Sequence, residues 1–124
     1  MTAKRIFLEV GTGNDWHGRD YTKAAIRAVE DAIHHSSLPL FRTLNVDPSQ
    51  MNVDVTIAVQ QPDKVDRTAI QKTLPHGRVN VSVVRGGLDV AEDGVDDMAV
   101  IANAAIAVRL DLTAASAQSA SHGR

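Results

Sequence analysis

Cysteine is missing altogether from the 124 residues, which excludes disulfides, thiolate nucleophiles and cysteine-ligated metals. Aromatic side chains are scarce: Phe7, Trp16, Tyr21 and Phe41 are the whole complement. The core must therefore be packed from Val, Ile, Leu and Ala, in layers that lie close together. No excess of basic charge exists either. With 13 Lys and Arg against 15 Asp and Glu the formal net charge is -2, so neither nucleic acid nor an anionic membrane is an expected partner. No apolar run approaches the ~20 residues of a membrane span, and the stretch after Met1-Thr2-Ala3-Lys4-Arg5 is too short for a signal-peptide core. These absences, with a length typical of one domain, leave a single cytoplasmic domain as the expectation.

What is present is periodic. Lys4 to Val10 alternates as a half-buried strand does, with Ile6, Leu8 and Val10 on one side and Arg5, Phe7 and Glu9 on the other. Asp20 is placed to cap a helix running to about His35, whose apolar stripe of Ala25, Ala28, Val29, Ala32 and Ile33 is mostly alanine and suits close packing on a sheet. Residues 36–52, around Leu38-Pro39-Leu40-Phe41, read as a connection. Val53, Val55, Ile57 and Val59 form a second alternating strand. Asp66 is the next helix cap, and Val65 before it is spaced to meet Ile70 as a hydrophobic staple. Leu74 continues that stripe and Pro75 stops it. Val79, Val81 and Val83 form a third strand, closed by Arg85-Gly86-Gly87, and an acidic loop containing Asp96-Asp97 follows. Met98 to Leu112 then alternates almost without a break. Residues 113–124 have the composition of a disordered tail.

This order predicts an α/β (α+β) fold: one domain over residues 1–112, with about four strands in the order β-α-β-α-β-β and both helices on one sheet face. The other face is expected to carry Phe7, Thr56, Ala58, Ser82, Val84, Ile101, Asn103, Ala105 and Ala107, too apolar for plain solvent surface. At about 3.3 Å per residue the last strand extends on the order of 45 to 50 Å, so part of it is expected to pair outside its own chain. Both features predict a homo-oligomer, a trimer or a multiple of three.

Chemistry is expected at Gly11-Thr12-Gly13-Asn14-Asp15-Trp16-His17-Gly18, read as a glycine-punctuated loop between the first strand and the first helix. Gly11, Gly13 and Gly18 allow close backbone approach to a ligand. Gly13 is not followed by the third glycine of a dinucleotide fingerprint, and Gly18 is followed by Arg19-Asp20 rather than the Lys-Ser/Thr of a phosphate loop. Three readings stay open. In one, Asp15 orients His17 for proton transfer on a small polar or anionic molecule, with Lys23 or the helix N-terminus holding negative charge. In another, Glu9, Asp15 and His17 ligate a metal. In the third the glycines make a turn, Asp15 caps backbone groups and His17 bonds locally. Arg85, Gly86 and Gly87 are candidate contacts for an anionic group, and Asn103 either lines a site or locks strand register. Trp16 anchors the loop or stacks on a ligand. An enzyme, a ligand-binding sensor and a purely structural assembly all fit these residues.

Gly11, Gly13, Asp15, His17 and Gly18 spell Gly-x-Gly-x-Asp-x-His-Gly, which resembles the signature of a Lin-type family of conserved hypothetical proteins. The resemblance continues in Asp20-Tyr21-Thr22-Lys23-Ala24-Ala25, Leu74-Pro75-His76-Gly77, Arg85-Gly86-Gly87 and Ile101-Ala102-Asn103-Ala104-Ala105. It implies a shared site and no particular reaction. In architecture the chain is also similar to one repeat of the ring-opening cyclic amide hydrolases that act on cyanuric acid and barbiturate, where a lysine and a strand-borne serine serve. That likeness implies a role for Lys23, but Arg85 stands where the serine would be wanted, and a shared fold does not carry a shared function.

Overall fold

A computed structural model describes residues 3–34, 50–74, 77–91 and 93–111. The connection around Leu38-Pro39-Leu40-Phe41, the stop at Pro75 and the tail over 113–124 lie outside the described residues. The elements are β1 (Ala3–Asp15), α1 (Tyr21–His34), β2 (Met51–Val59), a 3-10 turn (Pro62–Lys64), α2 (Arg67–Gln71), β3 (Arg78–Arg85), β4 (Leu88–Ala91) and β5 (Met98–Asp111). The mixed sheet has the order β1-β5-β2-β3, with β4 also on β5. Both expected caps form. The Asp20 carboxylate accepts the Lys23 N–H at 3.0 Å, and Asp66 accepts from Thr68 and Ala69 at the start of α2. Val65 and Ile70 are both buried in the core.

β1 and β2 each run antiparallel to β5, and β3 runs parallel to β2. The carboxyl ends of β1, β2 and β3 therefore share one end of the sheet with the start of β5. Among the described residues the core between helices and sheet has nine fully buried large side chains, all Val or Ile: Val29, Val53, Val55, Ile57, Val59, Ile70, Val100, Ile106 and Val108. Burial of each is worth roughly 1.5–3 kcal/mol, so aliphatic side chains carry this core as the composition requires.

Three expectations are corrected. The great length of β5 is absorbed within the chain: Val100 to Asp111 pairs with β1, and the other edge is divided between β4 at Met98–Ile101 and β2 at Asn103–Leu110. A fifth strand, β4, occupies part of the region read as loop. The facing of β1 is also reversed. A register irregularity between Arg5 and Phe7 sets Phe7 opposite Val108 and Leu8 opposite Ala107, so Leu8 and Val10 lie on the helix-free face, 46% and 67% exposed. The helix side of β1 is instead occupied by Gly11, Gly13 and Asp15, all buried.

Candidate functional site

The expected glycine loop is strand as far as Asp15. A β-carbon on Gly11 would collide with the backbone of Ala28 and Ala32, and one on Gly13 with the backbone of Ala28 and Ala24. These two glycines thus let the alanine stripe of α1 lie directly on β1, and the close approach they permit is to a helix. Only Gly18 acts as a loop glycine. It has φ +92°, and Arg19 after it also takes a left-handed conformation at φ +54°, unusual for a residue with a side chain. Together they turn the chain from β1 into α1.

Asp15 is 3% exposed and holds this turn from beneath. Its carboxylate accepts the Asp20 N–H at 2.9 Å, and the Lys23 ammonium and Arg27 guanidinium stand 3.9 and 3.8 Å from its other oxygen. An almost fully buried carboxylate has to be paired and hydrogen-bonded in this way. Asp15 is therefore bound to the helix start and not to His17, and Lys23 faces Asp15.

His17 meets a different carboxylate. Its Nδ1 is 2.5 Å from Asp97 Oδ2, and the imidazole is 83% exposed. The Asp97 carboxylate also accepts the Met98 N–H at 2.9 Å. The hydrogen bond to His17, followed by that from Met98, holds the Asp97 carboxyl below its ordinary value. Beside this pair Arg19 donates to Asp96 at 2.8 Å, an exposed contact worth at most about 1 kcal/mol. With Nδ1 engaged by a carboxylate, Nε2 is the nitrogen left to exchange a proton with a bound molecule. Trp16, on the same turn, is 65% exposed. Glu9, Asp15 and His17 do not form a ligand set: among the described residues no three His, Asp or Glu side chains gather as a metal would need.

Behind the turn lies a polar chain that inspection of the sequence misses. The buried Tyr21 hydroxyl donates to Asp89 at 2.6 Å and accepts from the Gln61 amide at 2.9 Å. Burial first, then the hydrogen bond and negative charge of Asp89, push the Tyr21 phenol up to about 12. The other Asp89 oxygen is buried without a hydrogen-bond partner. The signal for Asp89 is only the brief alternation Leu88-Asp89-Val90.

Arg85-Gly86-Gly87 works as a turn. The Gly86 N–H donates to Val59 O at 2.9 Å, and both glycine carbonyls accept from the Gln60 amide. Gly87 has φ +62°, and a β-carbon there would strike the Ile101 carbonyl. Asn103 lies on the helix-free face and donates to Thr12 Oγ1 at 3.3 Å, linking β5 to β1. It also lines a shallow concavity of about 450 Å3 whose floor and walls include Val10, Thr12, Thr56, Ala58 and Ala105. The structure thus gathers Asp15, Lys23 and Arg27 at the helix start and His17 with Asp97 at its mouth, and it places Asn103 on the other face of the sheet.

Among the described residues no helix is long and apolar enough to cross a membrane. The chain is similar to a crystal structure described as an FtsZ-like protein of unknown function from Nostoc punctiforme. The two are 36% identical with a TM-score of 0.76, over 89% of this chain and 98% of the other. None of the curated proteins matches. A family model matches residues 5–108, and this chain accordingly belongs to the family it describes, the conserved hypothetical proteins Lin0512_fam.

Proposed function

We propose that the protein binds a small polar or anionic molecule where the Trp16–Asp20 turn meets Asp96–Met98, and that His17 exchanges a proton with it in acid/base or hydrolytic chemistry. The contact between His17 Nδ1 and Asp97 carries this reading. A carboxylate on one ring nitrogen orients the ring and leaves Nε2 as the reactive atom. Arg19 stands beside the pair as a cation for an anionic ligand, and Trp16 offers a flat apolar surface. The imidazole is open in the single chain, so the rest of the enclosure would come from another copy in a cytoplasmic homo-oligomer, a trimer or a multiple of three. That same openness favours, as a second reading, a ligand-binding sensor without turnover, because proton transfer gains from a site that excludes water.

The test is to follow the His17 ring resonances by NMR while adding small carboxylates, inorganic phosphate and cyclic amides singly. A ligand should move them in the wild type and lose affinity in Asp97→Asn. The reading fails if none of these compounds perturbs His17, or if a compound binds equally well to His17→Ala. Chemical change in a bound compound would distinguish the enzyme from the sensor.

A further inference from the structure

The edge strand β1 is built with the polarity of an ordinary strand inverted. Its helix side carries Gly11 and Gly13, and its large apolar residues Leu8 and Val10 point away from the core, 46% and 67% exposed. Val84, Leu88 and Val90 add to the same face, at 46%, 58% and 49% exposed. Leu88 lies opposite Ile101 and Val90 opposite Ala99, so β4 continues the surface. Of the seven large hydrophobic residues exposed among the described residues, five are on this one face. Scattered exposed leucines and valines are normal, whereas a contiguous group marks a covered surface.

We propose that a second copy of this chain covers the helix-free face. The extent of the face and the state of the sheet edges select that occupant. The Arg109 guanidinium donates to Asp54 at 3.0 Å, and Asp54 also accepts from Asn80, a charge pair closed within the face, while Arg78 is exposed on the same row of β3 as Asn80 and Ser82.

The sheet edges favour the same mode of association. On β1, Thr12 N–H is held by the Asp31 carboxylate at 2.9 Å, and the Asn14 carbonyl by Arg27 at 2.6 Å. On β3, the Val79 carbonyl accepts from Gln71. Side chains thus occupy backbone groups that edge-to-edge strand pairing would need. Shape agrees as well. The concavity of about 450 Å3 is lined by the projecting Val10 together with Ala58 and Ala105, so projection and recess occur on one face. At about 3.3 Å per residue and 4.8 Å between strands the sheet presents roughly 750 Å2 in projection, close to the roughly 800 Å2 per partner of a standard stable interface.

The proposal shares with the reading of His17 only the expectation of a homo-oligomer and needs no ligand at that site, and the mass of the full chain in solution tests it. Light scattering coupled to gel filtration should give a multiple of the 13.3 kDa chain at micromolar concentration. The double variant Val10→Glu, Val90→Glu should run as a monomer with unchanged far-ultraviolet circular dichroism, while Glu30→Lys on the exposed side of α1 keeps the wild-type mass. Because the chain has no cysteine, a second measurement uses single introduced thiols. Alkylation of Val10→Cys and Val84→Cys should be several-fold slower than that of Glu30→Cys. A monomeric wild type, an unchanged mass in the double variant, or equal alkylation rates would overturn the proposal.

Discussion

Gly13 in β1 and Ala28 in α1 meet backbone to backbone, leaving no space between them for a β-carbon. The atoms that a methyl group at Gly13 would strike are main chain on both sides, and main chain cannot rotate aside as a side chain can. Overpacking ordinarily costs about 1–3 kcal/mol, and a clash with backbone belongs at or above the top of that range. Gly13→Ala should therefore lose about 3 kcal/mol or more, seen as a lower urea midpoint with an unchanged slope.

Asp15 and His17 should separate by role. Asp15→Ala removes the acceptor of the Asp20 N–H and leaves Lys23 and Arg27 without their shared partner, which should cost roughly 1–3 kcal/mol. His17→Ala alters a side chain that is 83% exposed and should stay within about 0.5 kcal/mol of wild type. Urea unfolding of the two variants at neutral pH makes the comparison.

Acid should weaken the link between His17 and Asp97. The folded Asp97 carboxyl sits below its ordinary 3.8, chiefly through the hydrogen bond with His17, so the unfolded chain takes up this proton first. The resulting stability is complete above the ordinary carboxylate value and disappears as pH falls through the depressed one. Asp97→Asn has no such carboxylate to titrate. The stability gap between wild type and variant should accordingly narrow on acidification below about pH 4, measured by urea unfolding across an acid series.

At the alkaline end the sole tyrosine reports on itself. The Tyr21 phenol is raised from 10.0 to about 12 by burial and then by Asp89. Folding therefore favours the neutral phenol, with its full contribution present below the unfolded value and lost as pH rises towards the folded one. Absorbance titration should show phenolate near pH 12 in the native protein and near 10 in urea. Tyr21→Phe should abolish that signal and cost about 1–2 kcal/mol, because Asp89 and Gln61 lose their common partner.

The parts of this fold legible from sequence are those governed by near neighbours. The alternation of Val53 to Val59, the caps at Asp20 and Asp66 and the alanine stripe of α1 depend on residues within a few positions, and each appears as expected. The facing of β1 was hidden because apolar alternation normally marks the core side, whereas here α1 rests on glycine and the apolar residues face outward. β4 has only four residues, too few to establish a period. The partner of His17 lies 80 positions away and that of Tyr21 lies 68 away, beyond the reach of spacing. Asp15, two residues from His17, was the nearer candidate but was already committed to the turn.

The place of β5 has a consequence for biosynthesis. It lies between β1 and β2 yet is the last of the described strands to be made, and β1 pairs with it from Asp15 opposite Val100 to Ala3 opposite Asp111. On the ribosome, β1 and β2 emerge long before the strand that joins them. Such long-range pairing slows folding and prolongs exposure of unpaired strand. A nascent chain arrested before Met98 should therefore bind chaperones, and the complete chain should release them.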